Sequence, residues 1–470
     1  MRPSYLGKIQ LRWCDACHTP VLGEQCACGE KTHAVSITPP GDARPAFASD
    51  VALVNSIFID YFGVPLIPEG HLAVLNKVPD PDRMEEVVLG GTVVAAIRYM
   101  PDEGVWEPLP RPSACRYMKP TKRYVVVDDG AVASIREGGS SLLAPGLVEI
   151  EDSVRTGDEV FLLSRSGECI GVGRARVDAA EARTMERGAV VRTRKIGDAD
   201  AVPGEASWDD AVRANTRILD AYEGAALDFI RRVRESHAHL PANVSYSGGK
   251  DSLVTLILVL KAIGKVPALY ADTGLEFPET EENVATVAER YGVEVVRAET
   301  GEAFWKNFEV EGPPAVNARW CCRVAKLEPV SRVIDERWGE SLSFIGQRKY
   351  ESLNRKNSPR VWRNRIVGNQ VSAAPIQHWT AMHVWLYLFK EHAPYNVLYE
   401  RGLDRIGCFM CPSSDRALLV RIKAAYPDLW QGWTERLDAW GAAHGMPADW
   451  AAEDLWRKRE SGGDEDDSYN

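Results

Sequence analysis

The run Ser247-Gly-Gly-Lys-Asp-Ser252 combines residue types that could bind a phosphate. β-favouring residues precede it, its two glycines allow a tight turn, and a helix-length run without a breaker follows as far as Gly264. A strand, a turn and a helix in this order direct unpaired backbone N–H groups and the positive end of a helix dipole to one place. The hydroxyls of Ser247 and Ser252 and the ammonium of Lys250 add donors. The run therefore predicts an anion site. It is not the Walker pattern, which has a longer spacing before its Gly-Lys pair.

Eight of the 10 cysteines fall into two groups of four. The first group is Cys14, Cys17, Cys26 and Cys28, and the second is Cys321, Cys322, Cys408 and Cys411. The first lies in a segment too short to fold on a hydrophobic core, and four thiolates in two knuckles suit tetrahedral Zn²⁺. A zinc ribbon is predicted over residues 1–36, with four free thiols as the alternative. For the second group, soft sulfur ligands suit either zinc or an iron–sulfur cluster.

Composition sets broad limits on the class of protein. The 470 residues are enough for about three or four domains, and 45% hydrophobic with 26% charged residues is ordinary for a soluble globular protein. The absence of a long apolar run predicts no membrane partner, and the N-terminus lacks a signal-type core, so a cytoplasmic location is expected. The net charge of −11 argues against a uniformly basic nucleic-acid binder, but residues 461–470 are predicted to form an acidic, disordered tail. RNA therefore remains a possible partner.

The first half of the chain reads as two small domains after the ribbon. Residues 37–120 mix apolar stretches with prolines and predict a small α+β unit. Residues 121–197 contain short β-like runs with turns between them, which predicts a small barrel. The segments Ser141-Leu-Leu-Ala-Pro-Gly146 and Gly157-Asp-Glu-Val160 make this barrel resemble a PUA domain. The resemblance implies an RNA-binding β-pseudobarrel that is often attached to RNA-modifying enzymes.

Basic residues crowd the second half of this barrel, which suits contacts with phosphates. The predicted RNA-binding residues are Arg174, Arg176, Arg192, Arg194 and Lys195. The alternative is a solvated barrel surface that carries arginines without binding RNA. RNA is the expected partner, with tRNA as the expected class.

The second half of the chain alternates strands and helices. Residues 198–240 are predicted to be a linker and a helix, 241–420 an α/β domain with a mostly parallel sheet, and 421–460 C-terminal helices packed through tryptophans. In such α/β folds, ligands bind beyond the carboxyl ends of the strands. Both the Ser247–Ser252 run and Asp272-Thr-Gly274 follow predicted strands, so they are expected to share that edge.

Several ordered motifs in this half resemble the phosphoadenosine phosphosulfate (PAPS) and adenosine phosphosulfate (APS) reductase family, a branch of the PP-loop superfamily. Besides the Ser247–Ser252 run, the matching pieces are Asp272-Thr-Gly-Leu-Glu-Phe-Pro-Glu-Thr280, Arg319-Trp-Cys-Cys-Arg-Val-Ala-Lys326, Gly346-Gln-Arg348 with Glu351-Ser352, Pro375-Ile-Gln-His-Trp-Thr380, Pro394-Tyr-Asn396 and Gly407-Cys-Phe-Met-Cys-Pro412. The resemblance implies a PP-loop domain that binds ATP, or PAPS or APS as a substrate.

The resemblance also implies roles for individual residues. The expected nucleotide-binding residues are Ser245, Ser247, Gly248, Gly249, Lys250, Asp251, Ser252, Asp272, Thr273 and Gly274. The expected catalytic residues are Lys250, Asp251, Lys326 and Arg348, with Mg²⁺ as an expected cofactor and with Lys326 and Arg348 near the phosphates. The second cysteine group resembles the ligands of the four-iron, four-sulfur (4Fe–4S) cluster in cluster-containing reductases.

Two departures from this family favour chemistry on ATP. The reductases attack their substrate with a cysteine near the C-terminus, whereas no cysteine follows Cys411 in this sequence. A thiol is hard to replace in that role. The reductases also often carry a degraded pyrophosphate loop, whereas this one is complete. The predicted function is an RNA sulfurtransferase that adenylates a base carbonyl before sulfur is inserted.

Two other functions stay open at this stage. One is a PAPS or APS reductase that uses an external thiol, and the other is a non-catalytic RNA-binding iron–sulfur protein. A sulfur donor is expected for the transferase. The sequence leaves open which donor that is, whether one iron of the cluster has a free position, and the oligomeric state.

Overall fold

The structure is a computed structural model that describes residues 6–197 and 201–459. The predicted acidic tail 461–470 and the first residues of the predicted linker lie outside the described residues. The chain divides into two compact units, Met1–Thr216 and Arg217–Asn470. None of the described helices combines the length and the apolar character that a membrane span requires.

The first unit begins with a three-stranded antiparallel sheet that carries the first cysteine group. It consists of β1 (Arg12–Cys14), β2 (Thr19–Val21) and β3 (His33–Ala34) in the order β2-β1-β3. Cys14 ends β1, and Cys14 and Cys26 are buried with Val21 in a cluster of their own. This arrangement is that of a small ribbon whose core is made largely by its cysteines.

A five-stranded antiparallel sheet and one helix follow. The elements are β4 (Arg44–Pro45), α1 (Ala48–Phe62), β5 (Val74–Lys77), β6 (Met84–Leu89), β7 (Thr92–Met100) and β8 (Val105–Pro110). The helix buries Val54, Phe58 and Phe62, a four-residue spacing that places them on one helix face. The sheet buries Val87 and Val94 in the same core. The prediction of a small α+β unit is confirmed.

The next sheet has six strands and mixed pairing. Its region contains β9 (Tyr124–Val127), α2 (Asp129–Gly138), β10 (Leu142–Leu143), β11 (Leu147–Ile150), β12 (Glu159–Leu163), β13 (Cys169–Ala175), α3 (Ala179–Ala182) and β14 (Ala189–Ile196), with the strand order β10-β14-β13-β12-β9-β11. The Ser141–Gly146 segment contains the two-residue strand β10. Leu142 is buried and pairs with Val191, so tertiary packing rather than local pattern makes this strand.

The second unit contains the α/β domain. The long helix α4 (Trp208–Ser236) includes the boundary between the units. The elements that follow it are β15 (Ala242–Tyr246), α5 (Lys250–Ile263), β16 (Ala268–Asp272), α6 (Pro278–Tyr291), β17 (Val295–Glu299), α7 (Ala303–Glu311), α8 (Trp320–Cys322), α9 (Glu328–Trp338), β18 (Ser341–Ile345), α10 (Leu353–Asn357), β19 (Val361–Arg363), β20 (Gln370–Ala373), α11 (Ala381–Lys390), α12 (Arg416–Ala425) and α13 (Pro427–Ala443). A π-helical turn, Arg323–Leu327, joins α8 to α9.

The sheet of this domain has the order β17-β16-β15-β18-β20-β19. All neighbouring strands are parallel except β19 and β20, which are antiparallel. The prediction of a mostly parallel sheet is confirmed. The carboxyl ends of β15, β16 and β18 lie at one edge, so the segments that follow them, including the Ser247–Ser252 run, are brought together.

Candidate functional site

The turn between β15 and α5 has the geometry of an anion-binding loop. Gly248 has a φ of 71°, and a Cβ there would lie 2.7 Å from Cγ2 of Thr280, so only glycine fits. The Ser247 N–H donates to Oγ of Ser252 at 3.2 Å, which closes the turn. Within the described residues, the N–H groups of Gly248 and Gly249 have no acceptor, and they precede the first turn of α5. The loop can therefore offer backbone donors to an anion.

A buried row of charges stands at the start of α5. Nζ of Lys250 contacts Oδ2 of Asp251 at 2.8 Å, and Nε of Arg348 donates to the other carboxylate oxygen at 2.6 Å. Lys250 and Arg348 are 9% and 2% exposed. Burial by itself would raise the pKa of Asp251, but Arg348 and Lys250 lower it below its ordinary value. Asp251 is thus a fixed carboxylate that holds both cations in place.

Two residues that are far from the loop in sequence contact it and stabilise it. Gly346 follows β18, and a Cβ there would lie 2.6 Å from the backbone carbon and oxygen of Asp251. The hydroxyl of Tyr399 accepts the Lys250 N–H at 3.0 Å. The motif that contains Gly346 was recognised from the sequence, but Tyr399 was missed. The only sequence signal for it was its position just after Pro394-Tyr-Asn396.

A cavity of about 1030 Å³ opens in front of this loop. Its wall includes Ser245, Ser247, Gly249, Lys250, Asp251 and Ser252, together with a second set, Arg319, Trp320, Arg323, Arg405, Ile406 and Ser413. The second set flanks the segments that carry Cys321, Cys322, Cys408 and Cys411. A single cavity therefore joins the loop to the neighbourhood of the second cysteine group.

The predicted residues after β16 border this cavity without facing it. Ala271 lines the wall, whereas Asp272 pairs with Arg297 at 2.7 Å. The carboxylates of Asp272, Glu276 and Glu281 approach within 4.8 Å of one another. Oxygen ligands of this kind suit Mg²⁺, but each of these carboxylates already has a partner: Arg297 also binds Glu281, and the Thr273 hydroxyl donates to Glu276. Gly274 donates its N–H to Asp272 at 3.3 Å.

The second cysteine group is assembled by α8 and the loop before α12. Cys321 interacts electrostatically with Cys322, Cys408 and Cys411, so all four sulfurs are neighbours. Among the residues that the structure describes, sets of three or more cysteine sulfurs within 4.8 Å of one another occur in the first group and not in this one. Four soft thiolates suit a cluster, and the wider spacing fits a body of several atoms better than a single zinc ion.

Two cationic side chains lie beside the second cysteine group and change its pKa values. A hydrogen bond with Cys321, together with Lys326 and Arg319, lowers the pKa of Cys322 to about 5 against the effect of burial. Nη2 of Arg319 lies 3.5 Å from the Cys322 sulfur. The nearby Cys408 sulfur raises the pKa of Lys326 despite burial. Lys326 and Arg348 are both expected near nucleotide phosphates. The structure places Lys326 among the cysteines and Arg348 against Asp251 of the loop, and neither lines the cavity.

The first cysteine group has the spacing of a tetrahedral metal site. The sulfur of Cys14 lies 3.7 Å from that of Cys28, and the Cys17 and Cys26 sulfurs are 3.8 Å apart. Four sulfurs at about 2.3 Å from one ion in a tetrahedron lie about 3.8 Å from each other. The donor set therefore fits Zn²⁺.

The PUA-like sheet separates the predicted RNA-binding residues into two sets. Arg174 and Arg194 both pair with Glu159, at 3.2 and 2.9 Å, and Glu159 has no exposed surface. Arg174 also pairs with Glu107 of β8, so these two arginines join the sheets of the first unit. All five side chains are exposed, but Arg176, Arg192 and Lys195 form none of these ion pairs. Sequence alone could not separate the two sets, because Glu159 is far from both arginines in the chain.

The two remaining cysteines are neighbours. The thiol of Cys115 hydrogen-bonds to Cys169 across the first unit, and this bond and burial raise the pKa of Cys115. Cys169 is buried, and Cys115 is partly so. The expectation of a buried or semi-buried thiol describes Cys115, but nothing in the sequence indicated the pairing.

Comparison with known proteins supports both halves. Residues 241–414 match the phosphoadenosine phosphosulfate reductase domain, and residues 123–197 match the PUA domain. The uncharacterized protein MJ0066 of Methanocaldococcus jannaschii is 39% identical over 468 residues, which is 97% of either chain. The adenosine 5′-phosphosulfate reductase of Geobacillus kaustophilus is 29% identical over 183 residues, 36% of this chain and 72% of the enzyme.

Solved structures match single parts of the chain. A conserved PUA domain protein from Thermoplasma acidophilum covers 33% of this chain and 93% of its own, with 25% identity and a TM-score of 0.27. The phosphoadenylyl-sulfate reductase of Candida auris covers 42% and 97%, with 20% identity and a TM-score of 0.32. On the sequence matches, this chain belongs to the PAPS reductase family of PP-loop proteins, in the group represented by MJ0066, with a PUA domain ahead of the reductase-like domain.

Proposed function

We propose that this chain is an ATP-dependent RNA-modifying enzyme that adenylates a carbonyl oxygen of a base and then replaces that oxygen with sulfur. The observation that carries the proposal is the complete Ser247–Ser252 loop, with buried Lys250, at one end of a cavity that extends to the second cysteine group. A loop with free N–H groups and a fixed ammonium suits the pyrophosphate that leaves when ATP is used for adenylation.

The residues have the following roles in this proposal. The N–H groups of Gly248 and Gly249 and the hydroxyls of Ser247 and Ser252 bind the β- and γ-phosphates. Lys250 neutralises the charge that builds on them, and Asp251 and Arg348 hold Lys250 in position. Mg²⁺ accompanies the phosphates, as is usual for ATP. Ser245 contacts the nucleoside, and Asp272, Thr273 and Gly274, which follow Ala271 of the cavity wall, hold the end of β16 beside it.

The proposed reaction has two steps, adenylation of the base and replacement of its oxygen by sulfur. The carbonyl oxygen of the base bonds to the α-phosphorus of ATP, the bond from that phosphorus to the bridging oxygen breaks, and pyrophosphate leaves while the neighbouring ring nitrogen loses its proton. Hydrosulfide then adds to the base carbon, the carbon–oxygen bond breaks, and AMP leaves. The hydrosulfide proton returns to the ring nitrogen.

Each of the two cysteine groups would hold a metal centre. Cys321, Cys322, Cys408 and Cys411 would hold a 4Fe–4S cluster, with Lys326 as their counter-charge. When bound, such a cluster supplies soft iron that can bind sulfur if one iron has an open position. The other group, Cys14, Cys17, Cys26 and Cys28, would hold a structural Zn²⁺.

RNA would be recognised first through the PUA domain, with tRNA as the proposed class. Exposed Arg176, Arg192 and Lys195 are available to phosphates, whereas Arg174 and Arg194 act in the fold. Each phosphate contact makes binding weaker as salt rises.

The identity to an APS reductase favours a second candidate, reduction of a sulfonucleotide with an external thiol. The two are separated by incubating protein purified without oxygen with ATP labelled at the α-phosphate, sulfide and unfractionated RNA, and in a parallel reaction with adenylyl sulfate and a dithiol. The transferase predicts AMP and pyrophosphate in equal amounts, only when RNA is present. AMP with sulfite from adenylyl sulfate, and no response to RNA, would support the reductase. A non-catalytic RNA-binding protein would produce neither.

A further inference from the structure

The cavity wall carries one arginine whose charge is not used by the fold. The cavity wall contains Arg319, Arg323, Arg355, Arg405 and Arg459. Four of them are engaged: Arg319 with the Cys322 sulfur, Arg323 with Glu328, Arg355 with Glu351, and Arg459 with the carbonyls of Glu311 and Pro313. Across 6–197 and 201–459, Arg405 has neither an ion pair nor a hydrogen bond from its guanidinium. It is exposed and lines the cavity.

The chain around Arg405 is fixed. The carbonyl of Gly402 accepts from Nη1 of Arg421 at 3.0 Å, and the N–H of Leu403 donates to Leu398 at 3.0 Å. Leu403 is buried, and Phe409 donates its N–H to Leu275 at 3.0 Å. Arg405 therefore projects from a short segment held on both sides, close to Cys408. Its guanidinium is presented to the cavity by a rigid backbone.

The cavity is large enough to hold more than the phosphate chain of one nucleotide. A volume of about 1030 Å³ lies at the upper end of the range for a single small ligand, about 300–1,000 Å³. The Ser247–Ser252 loop supplies backbone donors for one phosphate chain. The wall also includes Val316, which is 51% exposed and offers apolar surface that can cover the face of a base.

We propose that Arg405 binds a phosphodiester of the RNA strand, so that the nucleotide beside that phosphate enters the cavity between Arg405 and the loop. This inference rests on the proposed function and names how its substrate enters. A base must leave its stack before chemistry can reach its carbonyl, and a held phosphate next to it fixes the extruded nucleotide. Arginine suits this contact because its planar guanidinium can donate two parallel hydrogen bonds to phosphate.

The test uses the full chain, purified without oxygen, and a fluorescent single-stranded oligoribonucleotide over a series of salt concentrations. Arg405→Ala is expected to weaken RNA binding about tenfold and to reduce the slope of log K against log salt by about 0.7, the value for one phosphate contact on a single strand. ATP affinity is expected to stay within about twofold. Arg405→Lys, which keeps the charge, should recover most of the salt slope.

Arg365→Ala is the matched control, because Arg365 is an exposed arginine of the same unit outside the cavity wall. If Arg405→Ala and Arg365→Ala bind RNA equally, the inference is wrong while the proposed function stands. If Arg405→Ala weakens binding of ATP or adenylyl sulfate but not of RNA, Arg405 belongs to a small-nucleotide site and the inference is also wrong. If the unaltered protein binds no RNA, the proposed function itself is wrong, and the inference that rests on it is wrong with it.

Discussion

At the scale of single residues, Lys250 is the side chain on which nucleotide binding depends most. It is 9% exposed, held by Asp251, and stands at the first turn of α5. A charge-assisted contact to phosphate contributes about 1.5–3 kcal/mol, so Lys250→Ala should weaken ATP binding by about 10- to 100-fold. Isothermal titration with ATP measures this. Lys265→Ala, an exposed lysine just past the end of α5, should bind ATP like the unaltered protein.

The substitution Gly346→Ala tests how closely the chain after β18 approaches the loop. Gly346→Ala places a methyl group 2.6 Å from the backbone of Asp251, and overpacking of this kind costs about 1–3 kcal/mol. We expect a lower free energy of unfolding in denaturant and weaker ATP binding, since the loop must shift. A Cβ at Gly368 would meet nothing within 4 Å, so Gly368→Ala should change neither. Equal behaviour of the two variants would contradict the packing described here.

The sequence predicted the residues of the loop but not all of its supports. The Ser247–Ser252 run is local, and its strand–turn–helix geometry follows from neighbouring residues. Contacts from Tyr399 and Gly346 join parts of the chain that are far apart, so local patterns carry no information on them. The ion pair between Arg348 and Asp251 also joins distant parts of the chain, and the sequence did not predict it.

At the scale of elements, helix α11 contains a buried histidine that should make stability depend on pH. Nδ1 of His383 lies 2.8 Å from the Thr380 hydroxyl in a capping box, and burial, with a smaller effect of Arg348, lowers the pKa of His383 to about 3. The unfolded chain binds a proton near the ordinary value of 6.5 while the folded chain does not. Stability from this residue is therefore present above that value and is lost as pH falls below it.

The expected loss is about 2 kcal/mol between pH 7 and pH 5, since each unit of pH below the unfolded pKa contributes about 1.4 kcal/mol. His383→Gln keeps an acceptor for the capping box, because glutamine is a natural residue at that position. The difference in unfolding free energy between the two proteins should change with pH by this amount. A constant difference would show that His383 has the same pKa in the folded protein as in the unfolded chain, which would contradict this prediction.

The ribbon that contains β1 and β2 should depend on its metal. Four sulfurs near 3.8 Å from one another leave space for one ion, so the protein should contain one zinc per chain at this group. Cys17→Ser should lose that zinc in an elemental measurement. Cys169→Ser removes a thiol that lies outside both groups of four and should retain it. Zinc retained by Cys17→Ser would place the metal elsewhere.

Elements with a strong local pattern were predictable, and short elements made by packing were not. Strand β9 and helix α11 have apolar residues that repeat clearly along the chain, and such a repeat can be recognised from the sequence. Strands β10 and β19 have two and three residues, too few for any periodicity. They exist because neighbouring strands offer hydrogen-bond partners, which only the folded chain provides.

At the scale of the whole molecule, the chain joins a PUA domain to a reductase-like domain within one polypeptide. Family motifs made the order of domains predictable from the sequence. The function is not set by the fold, because related domains act on different substrates. What distinguishes this chain is the combination of a complete phosphate loop, a cavity that reaches the second cysteine group, and an RNA-binding type of domain.

The central claim is tested most directly by looking for the product. Full-length protein, prepared without oxygen, is incubated with unfractionated RNA, ATP and sulfide, and the RNA is digested and examined by nucleoside mass spectrometry. We expect a new thionucleoside that requires ATP and is absent with Lys250→Ala. Unchanged nucleosides, together with sulfite formed from adenylyl sulfate, would contradict the account.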